Sequence, residues 1–129
     1  MKSTDSYRDA VLEKIDGGRD YTKRGRVTYK IDGKYYHIKV KTGQRVKYPF
    51  NINPNVLEAD FEVYICGTDF VYYLLPIEVI KNMHSDPSAM PDYRNPGYTI
   101  IDVCPGEDKI KYGTGGKSLN IGKYRNLTA

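Results

Sequence analysis

Lys39 and Lys41 stand two residues apart in the run Tyr36-His-Ile-Lys-Val-Lys-Thr42. On an extended chain that spacing puts both ammonium groups on one side, where they add to a positive surface that a polyanion could meet. Glu58, Asp60 and Glu62 repeat the same spacing with carboxylates. One face of three carboxylates suits metal or acid–base chemistry, and a solvated strand edge is the simpler reading of it. Gly113-Thr-Gly-Gly-Lys117-Ser118 has the end of a phosphate-binding loop, but Lys111 stands where its first glycine belongs. A surface loop is expected there. Cys66 and His84 have no nucleophile context, and Cys66 and Cys104 read as buried free thiols. With His37 and His84 the only histidines, no structural metal is expected.

The elements around these residues follow from periodicity. Tyr7, Ala10, Val11 and Ile15 mark one face of a helix opened by Ser6 and closed by Gly17-Gly18, with Arg8, Glu13 and Lys14 on the outer side. From Arg26 the pattern alternates through Val27, Tyr29 and Ile31, turns at Asp32-Gly33, and alternates again through Tyr36, Ile38 and Val40. Asp-Gly between alternating runs predicts a two-residue hairpin. Its register pairs Tyr29 with Tyr36, Val27 with Ile38 and Arg26 with Lys39. An extended piece is expected near Val46 to Ile52, a strand over 61–66, another over 70–75, and a helix after Pro76 buried through Ile77, Val79, Ile80 and Met83. Three prolines make 85–97 an ordered loop, Tyr98 to Val103 reads as a strand, and Leu119 to Leu127 as a short terminal helix. The glycines at 113, 115 and 116 mark a mobile loop between them.

At 129 residues, 40 % hydrophobic and 28 % charged, the chain suits one domain with one core. The helix, hairpin and strands read above fall over 7–83, and 84–129 is a loop-rich extension with a strand and a short terminal helix. The apolar run Phe70 to Leu75 stops at Pro76, short of a membrane span, and the first residues lack the apolar stretch of a signal peptide. A cytoplasmic protein is expected, with no membrane partner. The net charge is only +4, yet ten lysines and arginines fall between Arg19 and Lys47 against two acids, Asp20 and Asp32. Arg24, Arg26, His37, Lys39, Arg45 and Lys47 gather on or beside the polar face of the hairpin. A polyanion such as nucleic acid is one reading of that excess, and a solvated basic face is the other.

The run 36–42, followed by Tyr48-Pro-Phe50, Ala59-Asp-Phe-Glu-Val-Tyr64 and Val71-Tyr-Tyr-Leu-Leu-Pro-Ile77, resembles the PD-(D/E)XK nuclease superfamily, in particular small endonuclease-like domains whose hairpin ends in a Gln-Val-Lys-Thr-like strand. The resemblance implies an α+β, restriction-endonuclease-like fold: a central mixed β-sheet built around the hairpin and flanked by helices. It implies DNA as the partner, a homodimer as a permitted state, and Mg²⁺ as the cofactor of any phosphodiester hydrolysis. Lys41 matches the family's lysine, Glu13 an auxiliary acidic position, and Asp60 an acidic position that could serve the metal. Lys39 stands where a metal-ligating acid or Gln belongs, and Arg26 near the place of the preceding Asp. Two cations there would repel Mg²⁺. A nucleic-acid-binding domain with a departed metal site is therefore one expectation, and a metal-dependent endonuclease its neighbour. A small protein-interaction or assembly module that uses the basic hairpin is the alternative.

Overall fold

The computed structural model describes residues 4–16, 22–23, 27–56, 59–67, 69 and 71–127. Helix α1 (Thr4–Asp16) comes first, followed by strands β1 (Thr22–Lys23), β2 (Thr28–Ile31), β3 (Lys34–Lys41), β4 (Tyr48–Ile52), β5 (Phe61–Cys66) and β6 (Val71–Pro76). Helix α2 (Ile77–Ser85) leads into β7 (Thr99–Cys104), β8 (Lys109–Gly113) and β9 (Lys117–Asn120). The strands form a five-stranded sheet in the order β1-β2-β3-β5-β6 and a four-stranded sheet in the order β4-β7-β8-β9. The first is mixed, since β3 runs parallel to β5 and every other pair is antiparallel. A central mixed sheet built around the hairpin, with helices against it, is the expected α+β architecture.

The hairpin has the register its turn requires. Asp32 and Gly33 both take positive φ, 49° and 81°, which matches the twist of the flanking strands. Tyr29 then faces Tyr36 and Thr28 faces His37, and the Ile38 N–H donates to the Val27 carbonyl at 2.8 Å. Arg26, its predicted partner Lys39's opposite, lies outside the described residues, as do Arg24 and the glycines expected to end α1.

Alternation divides the mixed sheet into two working faces. Tyr29, Ile31, Tyr36, Ile38, Val63, Ile65, Tyr72 and Leu74 pack against Val11, Leu12 and Ile15 of α1. On the other face Tyr64, Cys66, Tyr73 and Leu75 meet Tyr48, Phe50 and Ile52 of β4, the β7 and β8 residues Ile101, Val103 and Ile110, and Ile77, Ile80 and Met83 of α2. Three layers result, and the middle one carries an apolar cluster on each side. Six tyrosines are buried in these contacts, so much of the tyrosine content is core.

The second sheet differs from the sequence expectation. The extension contributes three strands where one was expected, and Leu119 to Leu127 holds the end of β9 and a single 3-10 turn over Gly122–Tyr124 in place of a terminal helix. The physical reason is the open edge of β6. Arg125 bridges to Tyr73 in antiparallel fashion, Asn126 exchanges hydrogen bonds with the Tyr72 backbone, and the Tyr72 hydroxyl donates to the Leu127 carbonyl at 2.8 Å. Closing the edge gives partners to backbone groups of β6 that would otherwise stay unpaired. The glycines at 113, 115 and 116 form the β8–β9 connection, and Lys117 pairs with Asp86 at 2.8 Å.

Candidate nucleic-acid interface

A cleft of about 560 Å³ lies where the C-terminal half of β3 runs past β4. Lys39, Val40 and Lys41 supply one wall, Pro49, Phe50 and Asn51 of β4 another, and Asp92, Arg94, Asn95 and Ile100 the third, with Arg8 of α1 closing it. Four side chains of the lining are cationic and one, Asp92, is anionic. Arg8 is buried, and its Nε donates to the Ile38 carbonyl at 2.9 Å. This corrects its expected place on the outer side of α1. The helix presents Arg8 toward β3 because Val11 and Leu12, one turn on along the same flank, are packed into the sheet.

The 92–95 wall is stiff despite having no regular structure. Asp92 accepts from the Arg94 N–H at 3.1 Å through one oxygen and from the Asn95 side chain at 2.9 Å through the other. These donors, led by the Asn95 amide, hold the Asp92 carboxyl below the usual range. Backbone bonds from Asp92 to Tyr98, from Asn95 to Asp92, from Tyr98 to Asn95 and from Ile100 to Met90 tie the loop to itself and to its neighbour. The segment Pro91-Asp-Tyr-Arg-Asn-Pro-Gly97 was legible as an ordered loop. Its contribution of Arg94 to the β3 cleft was not, because that depends on how the two sheets are stacked.

Beneath the cleft sits a buried ion pair. Lys39 Nζ lies 3.0 Å from Glu62 Oε1 and donates to the Asn51 carbonyl at 2.9 Å. Glu62 is 1 % exposed, and its second oxygen accepts from the Tyr64 hydroxyl at 3.3 Å. Parallel pairing causes this: β3 and β5 place His37 beside Glu62 and Lys39 beside Tyr64. The reading of Glu62 as part of a solvated edge is thus overturned. Its strand is central, and the carboxylate is tolerated because an ammonium and a phenol satisfy it. Burial, chiefly, and the adjacent carboxylate hold the Tyr64 phenol well above its usual pKa.

The candidate residues separate accordingly. Lys41 is exposed at the end of β3 and lines the cleft. Lys39 lines it too, but its charge is spent on Glu62, which makes it a structural cation more than a phosphate ligand. His37 is 8 % exposed, and burial lowers its pKa, Glu62 pulling the other way and Lys39 reinforcing the drop. Burial thus favours the neutral imidazole, and His37 is not part of an exposed basic surface. Arg45 and Lys47 are exposed in the loop between β3 and β4, where Lys47 lies 3.8 Å from Asp102. Asp60 accepts from the Tyr35 N–H at 2.8 Å, which fixes it at the start of β3. Lys41 is six residues along the same strand, about 20 Å away at strand rise, so Asp60 does not share a site with it. Glu13 is exposed on the turn of α1 opposite Val11, Leu12 and Ile15, which directs it away from the sheet.

The described residues do not fit a Mg²⁺ site at this position. Where the resemblance expects a ligating oxygen stands the Lys39 ammonium, and the nearby carboxylates Glu62 and Asp92 already accept from protein donors through both oxygens. Among the described residues no three metal-ligating side chains cluster. No helix among them is long and apolar enough to cross a membrane.

No protein-family profile matches the chain, and no curated protein matches it. Among solved structures, a bacterial homing endonuclease, I-Ssp6803I, is similar over 98 % of this chain and 88 % of its own, with 15 % identity and a TM-score of 0.48.

Proposed function

We propose that this chain is a nucleic-acid-binding domain of PD-(D/E)XK-like fold, with DNA as its ligand, whose hairpin has exchanged a metal site for a phosphate-gripping cleft. The observation that carries this reading is the convergence of Arg8, Lys41 and Arg94 from α1, β3 and the 92–95 loop on one cleft. Three elements distant in sequence deliver cations to one concave place, which a merely solvated basic face has no reason to do. Arg45 and Lys47 extend the positive surface beyond Lys41, in the loop between β3 and β4. Lys39 supports the reading differently: its ammonium already occupies the buried Glu62 carboxylate, which leaves that carboxylate unavailable to a metal.

Binding to fluorescein-labelled DNA, followed by anisotropy across a salt series, tests the proposal. Affinity should fall linearly on a log–log plot, and Lys41→Ala and Arg94→Ala should each reduce the slope by about 1. No affinity for duplex or single strands at low salt would overturn it and favour a protein partner. Supercoiled plasmid with Mg²⁺ or Mn²⁺ should stay intact. Cleavage lost in Lys41→Ala would restore the endonuclease reading.

A further inference from the structure

Tyr93 is 92 % exposed although the residues on either side of it are fixed by hydrogen bonds. Beside it lies a second pocket, about 470 Å³, lined by Met90, Pro91, Asp92, Tyr93, Arg94, Ile100 and Thr114. Asp92, Arg94 and Ile100 line both this pocket and the basic cleft, so only the width of the 92–94 backbone and its side chains separates them. One chamber is cationic. The other is walled mainly by Met90, Pro91, Ile100 and the Tyr93 ring.

We infer that the two form a single nucleotide-binding unit for single-stranded DNA, the phosphate lodging by Lys41 and Arg94 and an unpaired base stacking on Tyr93 in the apolar pocket. The inference rests on the phosphate-cleft reading and adds the form of the nucleic acid. Size favours a single strand: cavities of a few hundred Å³ accommodate ligands of drug size, which corresponds to one or two nucleotides and not to the girth of a duplex. Chemistry agrees, because a base has an apolar face that an exposed aromatic ring can cover, while paired bases keep those faces stacked on each other. Rigidity matters as well. Asp92 accepting from Arg94 and Asn95, the Pro91–Thr99 bridge and the Ile100–Met90 bond hold the ring's platform in place before any ligand arrives, so little ordering cost falls on binding.

The test uses the full chain with an oligo-dT carrying one 2-aminopurine, and a duplex of equal length. Wild type should prefer the single strand and quench the 2-aminopurine. Tyr93→Ala should weaken single-strand binding about tenfold, within the range of one stacked base, and abolish the quenching, while Tyr93→Phe keeps both. Because Tyr93 is exposed, its substitution should leave the melting temperature unchanged. Tyr93→Ala binding like wild type while Arg94→Ala and Lys41→Ala weaken it would overturn the base seat and leave the phosphate cleft standing. Equal affinity for duplex and single strand without quenching would do the same. Failure of the wild type to bind either form would remove both readings.

Discussion

Deleting the Lys39 ammonium would strand Glu62 in the sheet with the Tyr64 hydroxyl as its remaining partner and leave the Asn51 carbonyl without its donor. An uncompensated buried charge is among the most damaging changes a core can suffer. Lys39→Met is expected to cost about 3–5 kcal/mol in urea unfolding, and adding Glu62→Leu should recover most of that, since an apolar pair replaces an ionic one of similar volume. The neighbouring His37 makes the fold sensitive to pH. Its folded pKa lies below the ordinary value near 6.5, so the unfolded chain binds the proton more tightly. The stability this contributes is fully present above the unfolded pKa and is lost as pH falls through the folded one. Melting temperature should therefore decline from pH 7 toward pH 5, and His37→Gln should flatten that decline.

Among the elements, those with strong local signals were readable before the structure. The Asp32-Gly33 turn, the alternation of 61–66 and the Pro76 helix start depend on near neighbours, and each is where it was expected. What could not be read was set at long range. Glu62 looks the same on an edge strand and on a central one, Arg8 shows no sign that α1 will present it to β3, and in the 109–120 hairpin the alternation of Lys109, Ile110, Lys111 and Tyr112 is cut short by Gly113, Gly115 and Gly116. For the same reason the cleft was half legible: Lys41 is local to the hairpin, while Arg94 arrives through sheet stacking. One turn illustrates the tight fit between layers. Gly67 takes φ +80°, and a Cβ there would stand 2.9 Å from the Tyr48 hydroxyl, which itself donates to the Gly43 carbonyl at 2.8 Å and receives the Arg45 N–H. Gly67→Ala is expected to lose about 1–3 kcal/mol by thermal denaturation. Gly33→Ala, at φ +81° with open space around it, should lose less, because only the backbone is strained.

For the whole molecule, charge and architecture are segregated: the mixed sheet carries the hairpin cations to one rim, and the second sheet brings the 92–95 loop to meet them. The opposite rim is governed by the residues that close β6. Arg125 there contacts Asp108 at 2.8 Å and the Pro105 carbonyl at 3.0 Å, so the closure is locked to the second sheet as well. An uncovered edge strand invites pairing with another chain. A chain cut before Arg125 should therefore show concentration-dependent light scattering at temperatures where the intact chain shows none. The same closure sets an order of events during synthesis. Every strand of the central sheet leaves the ribosome before the segment that shields its last edge, so the nascent chain passes through an interval, some fifty residues long by the positions of Pro76 and Asn126 or about 3–10 s at usual elongation rates, in which that edge is exposed and a chaperone would find it.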